Sequence, residues 1–395
     1  MRNRGCLADI AFEVRDGFIP NGDSEVLPYI GLEHIEPNSL KITSVGESSE
    51  VVSSKYKFAA RDVLFGKMRP YFRKVAKPNF DGVCSTEISV IRAKEDEDSE
   101  FIFYFVANQD FIDHATTNSK GDRPRTKWEQ FSKYESFVPA PNVRRKIGSL
   151  LSAYDDLIDN NLKRIALLEK SARLLYEEWF VRLRFPGYEH TTLVDGVPEG
   201  WSFGRVGDLA KVQSGFAFKS KDWQSDGNPV LKIANIDGNT IDTINCQCVH
   251  DNVAEMAVKF RLNAGDLLIA MTGATVGKIG IMPRTRQNFY LNQRVGIFKS
   301  KKVLNPTSFL FSFFNTEYAQ VQILNYAGGA AQPNISGGQI EGIEMLIPND
   351  TILKDYLDIT ASLFEQRLVL IEQNQKLKQA RDILLPKLIN GEITV

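Results

Sequence analysis

The second half of the chain repeats the pattern of the first half. Five segments recur in the same order, at an offset that drifts only from about 199 to 209 residues. In the longest pair, Asp62 falls on Asp266 and Lys74 falls on Lys278. The five pairs of segments are 5–11 with 205–211, 29–40 with 230–241, 60–76 with 264–280, 84–94 with 291–301, and 135–141 with 344–350. One such match could arise by chance, but five in the same order predict an internal duplication.

Each copy has the same internal order of predicted elements. Short runs of Val, Ile, Phe and Tyr, interrupted by Gly, Asn and Asp, predict strands and turns, and a long helix follows them. The first helix is expected to begin near Asn142, a favourable N-cap, and the second near Asp350 or Thr351. Pro386 is expected to kink or end the second. The predicted fold class is α+β, with boundaries at 1–141 (first globular domain), 142–185 (central helix), 186–203 (linker), 204–349 (second globular domain) and 350–395 (C-terminal helix).

The two predicted helices carry apolar seams that are typical of coiled coils. A helix of forty residues would be about 60 Å long, and its apolar stripe needs a partner in water. The other helix is the nearest such partner, and the alternative is that each helix packs only on its own domain. The seam of the first helix contains Leu151, Tyr154, Ile158, Asn161, Ile165, Leu168, Ala172, Leu175 and Trp179. The seam of the second contains Leu363, Leu370, Leu377 and Leu384.

Basic side chains are concentrated in matching parts of the two copies. The chain as a whole has a net charge of −1, which excludes a uniformly basic surface. Residues 55–79 nevertheless hold eight basic residues and one acid, and residues 259–302 hold nine and one. Lys and Arg neutralise phosphates, whereas Arg, Gln and Asn read base edges, so both regions are predicted to bind DNA. The alternative is an ordinary solvated strand face. The candidate residues are Lys67, Arg69, Arg73, Lys74, Arg123, Arg125, Lys127, Lys278, Arg284, Arg286, Gln293, Arg294, Gln332 and Asn334.

Signatures of catalysis are missing from the sequence. The nearest match to a phosphate loop places three residues, not four, between Gly273 and Gly277-Lys278, and Ile279 stands where Ser or Thr is needed. A glycine-rich turn between two strands is the favoured interpretation. Neither a catalytic site nor a metal site is predicted, and four scattered cysteines without a signal peptide or an apolar span predict a cytoplasmic protein. The alternatives are a nucleotide-binding enzyme with a degenerate phosphate loop and a coiled-coil adaptor without sequence readout.

Several of these segments resemble a known family. "LLSAYDDLIDNNLKRIALLEKSARLLYEEWF" (150–180), followed by "FPGYE" and "VPEGW", resembles the central region of the specificity subunit of Type I restriction–modification systems. "IEQNQKLKQARDILLPKLINGEI" (371–393) resembles the C-terminal helix of that subunit. "GDLLIAMTGATVGKIG" and "GGAAQPNIS" resemble its target-recognition domains. The first copy departs from the pattern, since "SKGDRPRTK" shares with "GGAAQPN" only Pro124 over Pro333.

The resemblance implies a role in choosing DNA sequences. Two target-recognition domains would each read half of a bipartite DNA target, and the long helices would form an antiparallel coiled coil that acts as a spacer. The chain itself would be non-catalytic and would hold no cofactor. Its implied partners are double-stranded DNA, two modification subunits that carry S-adenosylmethionine and methylate adenine, and motor–nuclease subunits that use ATP and Mg²⁺.

Overall fold

The computed structural model describes residues 4–20, 25–328 and 333–395. It divides into two compact units, of which the first contains residues 1–159 and 376–395 and the second contains residues 160–375. Each unit therefore includes one globular domain and parts of both long helices.

The first unit combines mixed sheets with short helices. Strands Arg4–Cys6 and Glu135–Phe137 pair antiparallel. An antiparallel sheet has the order Ala11–Val14, Ile88–Ala93, Val63–Gly66, Val75–Ala76. A second sheet has the order Gly17–Phe18, Lys55–Phe58, Gly82–Ser85, Pro28–Ile30, Gly46–Glu47, in which the third and fourth strands are parallel. The α-helices before the long helix are Leu7–Ile10, Ser99–Ala107, Gln109–Thr117 and Trp128–Phe131.

The second unit is built in the same way. Strands Ser202–Arg205 and Glu344–Ile347 pair antiparallel. One sheet has the order Ala210–Ser214, Val295–Ser300, Leu267–Ala270, Ile279–Ile281, and another has the order Trp223–Gln224, Gln247–Val249, Asn228–Leu231, Tyr290–Leu291. Two short hairpins are Leu193–Val194 with Val197–Pro198 and Ile236–Asp237 with Thr240–Ile241. The shorter α-helices are Val206–Leu209, Asp251–Met256, Thr307–Phe314, Glu317–Ala327 and Gly337–Glu341.

The predicted duplication is confirmed down to individual hydrogen bonds. At three aligned places in each unit, a side chain accepts a hydrogen bond from the backbone N–H three residues earlier. The bonds are Cys6 N to Asp9 Oδ2 and Arg205 N to Asp208 Oδ2 (both 2.7 Å), Gly31 N to His34 Nδ1 (3.0 Å) and Lys232 N to Asn235 Oδ1 (2.9 Å), and Ala59 N to Asp62 Oδ2 (2.8 Å) and Asn263 N to Asp266 Oδ2 (2.7 Å). The register of the sequence alignment is therefore the register of the fold.

The second sheet also recurs in both units, with one strand reduced. Strands Pro28–Ile30 and Gly82–Ser85 pair in parallel, and so do the aligned strands Asn228–Leu231 and Tyr290–Leu291. Gly46–Glu47 pairs antiparallel with the first of these strands, as Gln247–Val249 does in the second unit. Strand Lys55–Phe58 pairs with Gly82–Ser85, whereas the aligned residues of the second unit form only an isolated antiparallel bridge between Arg261 and Tyr290.

The two long helices have bounds close to those predicted. The central helix is Pro141–Tyr176, and five residues of π-helix, Glu177–Val181, extend it. Helical structure ends before the predicted residue 185, because Leu183 adopts a left-handed backbone with a φ of 58°. The C-terminal helix is Asp350–Ile389, and it continues for three residues beyond Pro386. Leu385, Leu388 and Ile389 are buried in the core of the first unit, which offsets the hydrogen bond that proline cannot donate.

In both units the central and C-terminal helices pair directly and antiparallel. In the first unit, Asp155 on the central helix forms an ion pair with Arg381. In the second unit, Asn161 Nδ2 donates to Asn374 Oδ1 at 2.9 Å, and Arg367 Nε donates to Glu169 at 2.6 Å. The interpretation that each helix packs only on its own domain is therefore wrong. The predicted seam residues Leu151, Ile158, Ile165, Trp179 and Leu370 are buried, and Leu168, Leu175, Leu363, Leu377 and Leu384 are half-buried.

A row of polar side chains that we did not predict lies beside the leucines of the C-terminal helix, and we call it the polar row. Its members follow one another every seven residues, and their exposed fractions are at most 9%. They are Thr360, Arg367, Asn374 and Arg381. Each has a polar partner within its own unit, which buried polar groups require. Arg367, Asn374 and Arg381 therefore place hydrogen-bonded pairs in the seam with the central helix, beside its apolar contacts. Separately, no helix within the described ranges is both long and apolar enough to cross a membrane.

Candidate nucleic-acid interface

Three loop segments of the first unit are joined edge to edge by main-chain hydrogen bonds. Lys67 N donates to Glu87 O at 2.8 Å, and Thr126 N donates to Lys67 O at 3.1 Å. Arg69 N donates to Pro124 O at 2.7 Å. These bonds hold the three segments in fixed register although none belongs to a long strand. We call the segments 67–69, 85–87 and 124–126 the first platform.

The second unit contains the same arrangement at the aligned positions. Met271 N donates to Arg294 O at 3.0 Å, and Ile335 N donates to Met271 O at 2.9 Å. Gly273 N donates to Pro333 O at 2.9 Å. We call the segments 271–273, 292–294 and 333–335 the second platform. The predicted superposition of Pro124 on Pro333 is thereby confirmed, although the surrounding sequences are unlike.

Segments 85–87 and 292–294 also match in a hydrogen bond between a side chain and the main chain. Glu87 N donates to Ser85 Oγ at 3.2 Å, and Arg294 N donates to Asn292 Oδ1 at 3.1 Å. The two platforms therefore share their main-chain frame and their turn chemistry. They differ in the side chains that the frame presents.

Two of the predicted basic residues occupy strained backbone positions. Arg69 and Arg73 have φ values of 50° and 49°, whereas glycines at the aligned positions, Gly273 and Gly277, have φ values of 78° and 84°. Glycine adopts such a conformation without cost, but a side chain there costs about 1–3 kcal/mol and persists only where its surroundings determine it. The surroundings do determine it here, since Arg69 N donates to Pro124 O at 2.7 Å and Arg73 N donates to Pro70 O at 2.8 Å.

The first platform brings together three of the predicted residues. Lys67, Arg69 and Arg125 lie on it, and Arg123 and Lys127 are exposed beside it. Lys67 is half-buried, with its Nζ 5.7 Å from the centre of the Tyr56 ring, and burial lowers the pKa of Lys67. A polar cavity of about 400 Å³ opens here, lined by Glu13, Arg15, Tyr56, Lys67, Lys127 and Glu129. The cavity has a mixed charge, so the basic groups are already partly balanced.

Two further candidates of the first unit lie away from the platform. Arg73 Nε donates to Ala107 O at 2.7 Å, and burial lowers the pKa of this arginine. Lys74 Nζ donates to Leu32 O. Both side chains thus have anchoring roles in the fold, and their contact with DNA stays a prediction.

The second platform presents a different set of predicted residues. Gln293, Arg294 and Asn334 are exposed on it, and Arg286 is exposed on the loop between strands Ile279–Ile281 and Tyr290–Leu291. Gln332 lies outside the described residues. Two other candidates form ion pairs elsewhere, Lys278 with Asp237 at 2.7 Å and Arg284 with Glu365 on the C-terminal helix.

The glycine-rich segment is a turn between two strands, as the favoured interpretation predicted. It joins the antiparallel strands Leu267–Ala270 and Ile279–Ile281. Its amides are used internally, since Gly277 N donates to Ala270 O at 2.9 Å and Lys278 N donates to Thr275 O at 3.0 Å. A phosphate loop needs such amides to face the ligand, so this segment is not one. Across the part of the chain that the structure describes, no group of three or more His, Cys, Asp or Glu is placed to hold a metal ion.

Glu87 is the platform residue that the sequence analysis missed. Its carboxylate accepts two hydrogen bonds from Arg125, from Nε at 2.8 Å and from Nη2 at 3.0 Å. The duplication contained a signal, because the alignment of 84–94 with 291–301 sets Glu87 over the candidate Arg294. Glu87 was passed over because the prediction of a DNA-binding surface considered basic and amide side chains and no acids.

Comparison with known proteins gives a consistent result. The model of the Type I restriction modification DNA specificity domain matches residues 6–170 and 198–379, which are the two copies of the repeat. The specificity subunit of the Type I restriction enzyme MjaIX from Methanocaldococcus jannaschii is 25% identical over 312 residues, 75% of this chain and 69% of that protein. The HindI specificity subunit from Haemophilus influenzae is 20% identical over 405 residues, 84% of this chain and 86% of that protein.

A solved structure supports the fold. The S subunit of a Type I restriction–modification system from M. genitalium has a TM-score of 0.59 and 12% identity, and the match covers 98% of this chain and 96% of that one. At this identity the likeness concerns the fold alone, while the family model covers both repeats and most of the sequence. The chain therefore belongs to the Type I restriction–modification DNA specificity family.

Proposed function

We propose that this chain selects the DNA sequence on which a Type I restriction–modification complex acts, and that each unit reads one half of a bipartite target. The observation that carries the proposal is the pair of platforms, in which the same main-chain bonds hold different side chains. A shared frame would position both sets alike, and their difference would give each half-site its own base preference. Arg and Asn suit this role, because each forms paired hydrogen bonds to a base edge.

Phosphate contacts would come from the exposed basic residues around each platform. Arg69, Arg123 and Lys127 are the candidates in the first unit, and Arg286 and Arg294 are those in the second. Each neutralised phosphate releases counterions, so affinity should fall steeply with salt. A net charge of −1 means that this attraction depends on local clusters rather than on the whole surface.

The same proposal assigns the chemistry to other subunits. Two modification subunits would carry S-adenosylmethionine, motor–nuclease subunits would use ATP and Mg²⁺, and this chain would turn over no substrate in the cytoplasm. The central helix would offer a surface for such subunits at Leu167 and Leu174, which lie seven residues apart on one side of the helix and are 62% and 45% exposed. Apolar side chains that share an exposed helix face suit a surface that another protein covers.

Methylation mapping of cellular DNA, with and without this chain, tests the proposal. We expect methylated sites that share a bipartite sequence, and we expect them to disappear without the chain. In the assembled complex, Arg69→Glu with Arg123→Glu should abolish sequence-specific binding and reduce the salt dependence of the DNA binding that remains. Lys133→Glu with Lys146→Glu is the matched control, because it makes the same charge change at exposed positions of the same unit away from the platform. Retained specificity in the first double variant would place the DNA face elsewhere.

A further inference from the structure

We propose that Arg125, oriented by Glu87, reads a guanine in the half-site of the first unit. This inference rests on the proposed function, because it assumes that the first platform faces DNA. It goes further in naming one residue, the residue that positions it, and the base that they select.

The backbone of Arg125 is held from both sides. Arg125 N donates to Lys120 O and Lys120 N donates to Arg125 O, both at 3.2 Å. Its neighbours Pro124 and Thr126 are bonded to the segment on the opposite side. A side chain on such a frame starts from a fixed Cα position, so less conformational entropy is lost when it binds.

Glu87 fixes the guanidinium and leaves its outer end available. The carboxylate takes the Nε hydrogen and one Nη2 hydrogen of Arg125. Arginine has five N–H donors, so the two on Nη1 and the second on Nη2 are not used by this pair. Guanine presents two acceptors, O6 and N7, to the major groove, and a guanidinium end meets both at once. The side chain of Arg125 is 49% exposed, which leaves room for that approach.

The carboxylate favours a base over a phosphate as the target. A phosphate would be repelled by Glu87, whose charge lies about 3 Å from the guanidinium nitrogens. A guanine edge is uncharged and gains from the oriented donors without that repulsion. An exposed ion pair contributes little to folding stability, so orientation is the role that this one best serves.

The second unit lacks this pair at the aligned positions. Arg294 stands where the first unit has Glu87, and Asn334 stands where it has Arg125. The frame is conserved between the units, but the acid that would orient an arginine is absent from the second platform. The guanine preference should therefore belong to one half-site only, and the other half-site becomes an internal control.

The test uses the full chain in complex with its modification subunits, and it maps methylated sites in DNA with randomised targets. Arg125→Gln should reduce the preference for guanine at one position of one half-site by about 5- to 150-fold. Glu87→Gln keeps the arginine and removes a negative charge. It should relax the same position while binding to non-specific DNA stays equal or becomes tighter, which a merely structural role would not produce.

Arg145→Gln and Glu97→Gln are the matched controls. They remove an exposed Arg–Glu pair of the same unit, 3.5 Å apart, that lies on the central helix and its neighbouring turn. Both should leave the two half-sites unaltered. If Arg125→Gln and Glu87→Gln also leave the target unaltered, or if the relaxed position is not a G·C pair, the inference is wrong.

Two other outcomes remain decisive. If Arg125→Gln abolishes methylation altogether, the target sequence methylated with the Glu87→Gln variant decides the question. An unchanged target with Glu87→Gln overturns the orienting role of Glu87. A failure of the proposed function is distinguishable, because the unmodified chain would then direct no sequence-specific methylation.

Discussion

Replacing Arg367 by Met should measure how much the buried polar row contributes to the folding stability of the second unit. Arg367 is 1% exposed, and it joins the C-terminal helix to both the central helix and a hairpin. Its Nε donates to Glu169 at 2.6 Å and its Nη2 donates to Asn239 O at 2.5 Å. Asn239 Nδ2 closes the triangle by donating to Glu169 at 3.3 Å.

The expected loss of stability follows from these contacts. Two hydrogen bonds to a charged group are worth about 1.5–3 kcal/mol each, and breaking one side of a buried ion pair costs about 3–5 kcal/mol. The Glu169 side chain is 18% exposed and keeps its bond from Asn239, so it recovers part of its solvation. We therefore expect Arg367→Met to lower the free energy of unfolding of the second unit by about 3 kcal/mol.

The double variant separates the ion pair from simple packing. Arg367→Met with Glu169→Met removes both charges, and well-packed apolar replacements of buried pairs are often neutral, so the loss should fall to within about 1 kcal/mol. Denaturant unfolding followed by tryptophan fluorescence is a suitable assay, because Trp179 and Trp201 are buried in the second unit. Arg173→Met is the control, since Arg173 is 48% exposed and its pair with Glu177 spans 3.8 Å. A double variant that is less stable than Arg367→Met would refute the reasoning.

Three further predictions concern the thiols, the domains and the chemistry. Burial raises the pKa of Cys84 and of Cys246 to about 12. At pH 8 both thiols should therefore react with iodoacetamide about a thousandfold more slowly than an ordinary thiol, until the chain is unfolded. Peptide mapping that finds either cysteine labelled rapidly in the folded chain would contradict this. Exchanging residues 20–135 for those of another family member should change one half-site only, and methylation mapping that finds both halves altered would show joint reading. The purified chain alone should show no methyltransferase, ATPase or nuclease turnover in standard assays, and activity that persists through further purification would overturn the assignment of chemistry to other subunits.

The duplication could be recognised from the sequence because the equivalent features are local. Asp9 and Asp208 each cap a backbone N–H three residues away, and so do Asp62 and Asp266. Such bonds need only the right residue at the right spacing, so they leave a trace in the alignment. The length of strand Lys55–Phe58 leaves no such trace, because it depends on how the distant strand Gly82–Ser85 lies beside it, and the aligned residues of the second unit form only an isolated bridge.

The candidate interface was predicted only in part. Basic residues were found by their enrichment, which does not separate exposed residues that are candidates for DNA contact from residues that anchor the fold. Arg73, with its bond to Ala107 O, and Arg284, paired with Glu365, look the same in sequence as the exposed Arg69. Glu87 escaped because its role arises from Arg125, 38 residues away, and spacing along the chain does not reveal that contact.

The sequence by itself determined the two copies, the order of their elements and the long helices with their leucine seam. These follow from periodicity and capping, which act over a few residues. The tertiary structure alone decided which basic side chains share a platform, which acid pairs with Arg125, and that Arg367 and Asn374 are buried between helices. Charged and amide side chains are buried only where a partner is present, because the free-energy cost of burying an unpaired polar group is offset by a hydrogen bond to that partner. Only the three-dimensional arrangement supplies that partner.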